Sequence, residues 1–138
     1  MRIMAIDYGD AHTGIAISDP TGLLAGFTTV INSRRLEVVV EQVTLLAKEH
    51  GVEELVLGHP VNMDGTLGPR SEKAKAMKAL LEEATALPVV LWDERRTTID
   101  AHNILFNSGK NAKQRKKVVD AVAASLILEG YLTFKKSH

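Results

Sequence analysis

The chain has 138 residues, no cysteine, and 17 Lys+Arg against 17 Asp+Glu. With 45% hydrophobic and 4% aromatic residues it reads as an ordinary globular domain, which excludes wholesale disorder, a collagen-like repeat and a disulfide scaffold. No Cys-containing zinc site or thiol nucleophile is available, no run approaches the ~18 apolar residues of a membrane span, and Asp7 interrupts the N-terminus too early for a signal peptide. The expectation is one soluble, cytoplasmic domain over residues 1–138.

Ile3 and Ala5 mark a short buried strand that ends near Asp7, and Ile15 and Ile17 mark a second. Asp19-Pro20-Thr21-Gly22 carries type I turn chemistry, and the β-branched run Phe27–Ile31 gives a third strand. The period then changes. Leu36, Val39, Val40, Val43, Leu46 and Ala47 fall at helical spacing, with Asn32 or Ser33 as candidate cap and Gly51 as stop. Leu55-Val56-Leu57 is a strand ending at Gly58, and Ala74, Met77, Leu80, Leu81 and Ala84 predict a helix from about Ser71. Pro88 leads into the strand Val89–Trp92. Thr97 and Asp100 are spaced as in a capping box that starts a third helix, with a break at Asn107–Asn111. A last helix runs from Lys113 to Leu132, apolar nearly all round between Ala121 and Leu128 and therefore largely buried. The order βββαβαβαα predicts a mixed five-stranded α/β sheet: an antiparallel three-strand meander plus two parallel strands, flanked by helices.

Ligands of open sheets gather beyond the carboxyl ends of parallel strands. Three segments meet that condition: Asp7-Tyr8-Gly9, the stretch from Gly58 through Asn62, Asp64 and Gly65, and Asp93-Glu94-Arg95-Arg96-Thr97-Thr98. Each alone also reads as a turn or a surface ion pair; if their strands are neighbours, the three converge at one edge. Asp120 opens the apolar part of the last helix, with an ion pair to Lys116 or Lys117 as its plainer reading. Carboxylates without cysteine, and without a His pair at zinc spacing, suit Mg²⁺ or Mn²⁺. Two such ions about 4 Å apart serve an in-line phosphodiester displacement, with Asp7, Glu94 and Asp120 as ligands. No acidic residue interrupts the span between Asp100 and Asp120, where Lys110, Lys113, Arg115, Lys116 and Lys117 fall. That run reads either as a solvated helix face or as a phosphate contact. A P-loop is excluded because Ile15 stands where the lysine is required, and no HExxH, GxSxG or strand-borne GxGxxG is present. His12 and His59 lie in the converging loops; His50 and His102 read as helix-surface residues.

Asp7-Tyr8-Gly9, Gly14-Ile15-Ala16-Ile17-Ser18-Asp19, Gly58-His59-Pro60-Val61-Asn62-Met63-Asp64-Gly65-Thr66, Asp93-Glu94-Arg95-Arg96-Thr97-Thr98 and Lys116-Lys117-Val118-Val119-Asp120, in that order, closely resemble the bacterial YqgF/RuvX family, the Holliday junction resolvase or pre-16S rRNA nuclease group. The resemblance covers essentially the whole chain. It implies a ribonuclease H-like fold related to the RuvC resolvase, and a Mg²⁺ or Mn²⁺ site on Asp7, Glu94 and Asp120 as catalytic carboxylates. It also implies a cleft shaped by Gly9, Asn62, Asp64, Gly65, Thr97 and Thr98. Arg95, Lys113, Arg115, Lys116 and Lys117 become the nucleic-acid contacts. The implied substrates are structured RNA, in particular the 5′ end of the 16S rRNA precursor, or branched DNA, with the ribosome as a further partner and no membrane. Many relatives carry Lys-Arg where this chain has Ala11-His12-Thr13, so no phosphate contact is assigned there. Two rival readings stand beside the nuclease: a ribosome-associated RNA-binding protein with a non-catalytic metal site, and an ATPase-like domain, for which the chain lacks a second closing domain.

Overall fold

A computed structural model describes residues 1–9, 11–19, 25–59, 69–93 and 112–137. Five strands, β1 (Ile3–Asp7), β2 (His12–Ser18), β3 (Ala25–Asn32), β4 (Glu54–His59) and β5 (Val89–Asp93), form one sheet in the order β3-β2-β1-β4-β5. The β3-β2-β1 half is antiparallel and the β1-β4-β5 half parallel. The expected meander with two parallel additions is therefore the fold observed. Helix α1 (Leu36–His50) connects β3 to β4, and α2 (Pro69–Thr85) lies between β4 and β5 in sequence. The last described element is α3 (Ala112–Ser137). The Asp19–Gly22 turn beyond Asp19 and the helix expected at Thr97 lie outside the described residues.

Strand alternation divides the core in two. Met4 and Ile6 of β1, Ile15 and Ile17 of β2, and Leu55 and Leu57 of β4 face α1 and α2, meeting Val39, Val43, Ala74, Met77 and Leu81. Ile3, Ala5, Ala16 and Val56 face the other way, under Ala124, Ile127, Leu128, Tyr131 and Leu132 of α3. β1 and β4 are apolar on both faces because both faces are covered. Each fully buried Leu or Ile here contributes about 1.5–3 kcal/mol relative to exposure.

Four details differ from the sequence reading. Helix α1 starts at Leu36 with Arg35 as its cap and no side-chain cap bond. The expected cap residues are engaged elsewhere: Ser33 Oγ accepts the Arg35 N–H at 3.1 Å and Asn32 Oδ1 is held by His12. On α2, Leu80 is 40% exposed and Ala84 exposed, so the buried stripe is narrower than the periodicity suggests. Helix α3 continues past Leu132 to Ser137. Its Ala121–Leu128 stretch is buried along one stripe and half-buried elsewhere, not apolar-packed all round. Gly51 ends α1 as expected, at φ 64° in the left-handed region, with the Gly51 and Val52 amides closing on Lys48 and Ala47 carbonyls.

Candidate functional site

Asp7 is the last residue of the central strand β1 and is half-buried. Its parity is that of Ile3 and Ala5, so it stands on the α3 side of the sheet. Gly14 of β2 is its partner across the antiparallel ladder. On the other flank, Ile6 pairs with Leu57, and the next step of that register brings Gly58 alongside Asp7, with Trp92 beyond it. The row on this face therefore reads Gly14, Asp7, Gly58, Trp92. Both strands that flank the carboxylate present glycine there, and both glycines are buried. A glycine inside a strand costs backbone entropy and offers nothing to pack, so two beside one acid suggest a close approach by a ligand or another backbone. Sequence reasoning missed both as site residues. An isolated glycine in a β-branched run is the available signal, but the pairing with Asp7 is set by register, which no local pattern reports.

Gly9 has a steric reason as well. A Cβ at this position would lie 2.5 Å from the carbonyl oxygen of His12, inside any tolerable contact. The β1–β2 connection can close this tightly only with glycine. His12 Nδ1 donates to Asn32 Oδ1 at 2.6 Å, which ties the start of β2 to the end of β3. His50 is half-buried, its ring 4.6 Å from that of Phe27 and its carbonyl accepting from Arg2 Nη1 at 2.8 Å. His59 closes β4 in register with Asp93, the last residue of β5. The carboxyl ends of the three parallel strands thus lie at one edge, as the sequence implied.

Of the remaining expected site residues, Lys113, Arg115, Lys116, Lys117 and Asp120 belong to the backbone of α3. Asn62, Asp64, Gly65, Glu94, Arg95, Thr97 and Thr98 lie outside the described residues. Among the described residues no three His, Asp or Glu side chains gather into a metal-binding group. Asp7 alone supplies a described carboxylate at this edge on the α3 side. An oxygen donor in a chain without cysteine fits a hard divalent cation and not a thiolate-bound metal.

A second polar cluster occupies the opposite end of the sheet. Glu54, the first residue of β4, is 9% exposed; it accepts a hydrogen bond from Tyr131 Oη, and its Oε2 lies 3.1 Å from Lys135 Nζ. Burial first, and then the hydrogen bond to Glu54, push the Tyr131 phenol well above its usual range, so it stays a neutral donor. The Trp92 ring stands edge-on to Tyr131, with centroids 5.9 Å apart. Sequence reasoning missed this cluster, whose members are 77 residues apart in the chain.

The sheet order, the helices on both faces and the acid ending the central strand define a ribonuclease H-like α/β protein. The structure of Thermus thermophilus RuvC in complex with a Holliday junction substrate is similar over 99% of this chain and 96% of its own, with a TM-score of 0.66 and 13% identity, a likeness of fold. The family model described as "RuvX: Holliday junction resolvase" matches residues 1–134, and the chain belongs to that family. A protein of Halothermothrix orenii named "Putative pre-16S rRNA nuclease" is 44% identical over 135 residues, covering 98% of this chain and 96% of that one. A relative of the same name from Carboxydothermus hydrogenoformans is 40% identical over 138 residues, with both chains covered in full.

Proposed function

We propose that this chain is a divalent-metal-dependent endonuclease for structured nucleic acid, which trims the 5′ end of the 16S rRNA precursor or cuts branched DNA. The reading takes residues 1–138 as one ribonuclease H-like domain acting in the cytoplasm, near the ribosome. The observation that carries it is the position of Asp7: a half-buried carboxylate at the carboxyl edge of the central strand, flanked by Gly14 and Gly58. Residue arithmetic supports two further ligands. In β5, Val90 and Trp92 pack on the α3 side, and Glu94 is the next number of that series. In α3, Ala124, Ile127, Leu128 and Tyr131 pack on the sheet, and Asp120 comes one helical turn before Ala124 in the same numerical series. Tyr131 is docked at the start of β4, and three helical turns back to Asp120 span about 16 Å. The strand from Glu54 to Gly58 covers about 13 Å, so the helix is long enough to carry Asp120 to the edge where Asp7 stands.

In this reading Asp7, Glu94 and Asp120 would hold one or two Mg²⁺ or Mn²⁺ ions, which when bound would supply charge neutralisation for an in-line phosphodiester displacement. The glycines beside Asp7 add no side chain of their own where a phosphodiester would approach the carboxylates. Gly9, Asn62, Asp64, Gly65, Thr97 and Thr98 shape the cleft. Arg95, Lys113, Arg115, Lys116 and Lys117 bind backbone phosphates, which orients the substrate without reading its sequence. The names of the relatives favour ribosomal RNA, and the Holliday junction description of the family favours branched DNA.

The test is cleavage of a four-way DNA junction and a precursor 16S rRNA fragment side by side, in Mg²⁺ or Mn²⁺, by wild type and Asp7→Asn. The expected result is metal-dependent cutting of at least one substrate, abolished by EDTA and by the variant. Equal cleavage by metal-stripped protein removes the mechanism. Binding without cleavage favours the non-catalytic RNA-binding reading.

A further inference from the structure

Apolar contact is non-directional, so a helix held on a sheet by hydrophobic packing alone can slip along it by a turn, as packed helices do in some allosteric transitions. Helix α3 is held by more than packing. Both oxygens of one carboxylate are taken by the same helix, at positions one turn apart: Tyr131 Oη on Oε1 and Lys135 Nζ on Oε2. Tyr131 is 6% exposed and Glu54 9%, so this is a desolvated contact and not a surface pair. Sliding α3 by one turn, about 5.4 Å, would bring Ile127 or Lys135 to the place of Tyr131 and break the two-point contact that satisfies both oxygens of a buried carboxylate. Next to Tyr131, Gly130 meets the Trp92 ring so closely that a Cβ would lie 3.2 Å from Cζ2. That second contact fixes the same stretch of helix sideways.

We infer that the Glu54–Tyr131 hydrogen bond is a longitudinal latch, which fixes α3 in the register that presents Asp120 to Asp7. This inference rests on the nuclease reading above. It makes Glu54 and Tyr131 positioning residues, remote from the chemistry. Glu54 pairs with Ile3 on β1, the strand that ends in Asp7. Tyr131 lies eleven residues after Asp120, three turns on and therefore on the same face of the helix. One end of the latch is thus built on the strand that neighbours one proposed ligand's strand, and the other on the helix that carries the second ligand.

The chain has no cysteine, so nitroxide labels can be attached at Glu41→Cys on α1 and Glu129→Cys on α3, both exposed. Spin–spin distances between them report the register of α3 without any dependence on activity. Tyr131→Phe, which removes one hydroxyl, is expected to shift or broaden the distance distribution by about a helical turn. Single-turnover cleavage of whichever substrate the wild type cuts should fall by about tenfold or more, since small misplacements of reacting groups carry large rate penalties. KM should move by less than about threefold, as expected when transition-state stabilisation falls and ground-state binding does not. Glu54→Gln keeps an amide oxygen to accept the Tyr131 hydroxyl and should retain the wild-type distances, with a rate within about threefold of wild type. Glu54→Ala should behave as Tyr131→Phe does, and carries the test if the latter does not fold.

An unchanged distance distribution in Tyr131→Phe overturns the latch. So does a shifted distribution with an unchanged rate, or a loss of rate at unchanged distances. If the wild type cuts neither substrate, the nuclease reading fails by itself, and the distances alone decide the latch.

Discussion

Asp7 stands opposite Gly14 across the β1–β2 ladder, and the register on its other flank brings Gly58 beside it. The residues beside the central acid on both adjoining strands are therefore glycines. Asp7→Asn keeps the shape of the residue and leaves the fully buried Met4, Ala5 and Ile6 of the same strand untouched. It should change stability by no more than about 1 kcal/mol. Cleavage should be lost, because the neutral amide is a far weaker ligand for a divalent cation. Thermal melting beside single-turnover kinetics checks both halves.

Two glycines with different reasons to be glycine should respond differently to alanine. Gly51 has φ 64° and open space around its Cβ position, so Gly51→Ala meets only the left-handed backbone penalty, about 1 kcal/mol. At Gly9 the Cβ would come 2.5 Å from a backbone oxygen, and the hairpin itself must move. Gly9→Ala should cost about 2–3 kcal/mol, in the range of overpacked sites. It should also shift the amide resonances of His12–Gly14, which Gly51→Ala should leave in place. Urea unfolding and amide spectra of the two variants decide this.

The difference between these glycines also shows what sequence patterns can carry. Gly51 is legible because a helical apolar series ends just before it, and the C-cap is a local device. The strands are legible for the same kind of reason: alternation in β2 and continuous apolar runs in β4 follow from which faces are covered. The start of α1 is not, because Asn32 and Ser33 satisfy His12 and Arg35 in place of the helix end. At the candidate site, the placement of Asp7 at a strand's carboxyl end can be read from a short apolar run. Its flanking glycines cannot, since they come from neighbouring strands and depend on register. Glu54 and Tyr131 are out of reach for a stronger version of that reason: each looks ordinary alone, and only the packing of α3 on β4 joins them.

The neutral, buried phenol of Tyr131 predicts an alkaline limit to stability. Above pH about 10 the unfolded chain loses this proton while the folded chain keeps it. The folded state then binds more protons, and stability falls as pH rises. Below that pH the contribution is constant. Tyr131→Phe has no such proton, so its stability should decline less steeply between pH about 10 and 11 than that of wild type. Urea midpoints measured across that interval check the slope, and parallel curves would show that other groups govern alkaline unfolding.

The basic run of α3 should act through phosphates. Replacing Lys113, Arg115, Lys116 and Lys117 together by Gln should weaken binding to nucleic acids of unrelated sequence by similar factors. If each residue neutralises one phosphate, the slope of log K against log salt should become shallower by about 0.7–0.9 for every positive charge removed. Fluorescence anisotropy over a salt series measures it. An unchanged slope would make the run a solvated helix face.

Asp120→Asn separates a metal ligand from a helix ion pair. Asp120 comes four residues, about one helical turn, before Ala124, which packs on the sheet with Ile127 and Leu128. A carboxylate at such a position is costly unless a charge partner holds it, and a divalent cation would be a strong one. If Asp120 only pairs with Lys116 or Lys117, the change should cost less than about 1 kcal/mol and leave cleavage unaltered. If it is a ligand, the protein should fold without metal at least as well as wild type, because an uncompensated charge has been removed. The rise in melting temperature on adding Mg²⁺ or Mn²⁺ should then shrink, since stabilisation by a ligand scales with its affinity for the folded state. Single-turnover cleavage should fall together with that thermal shift. A variant with the full metal-induced shift and the wild-type rate would remove Asp120 from the site, leaving Asp7 and Glu94 to hold the ion.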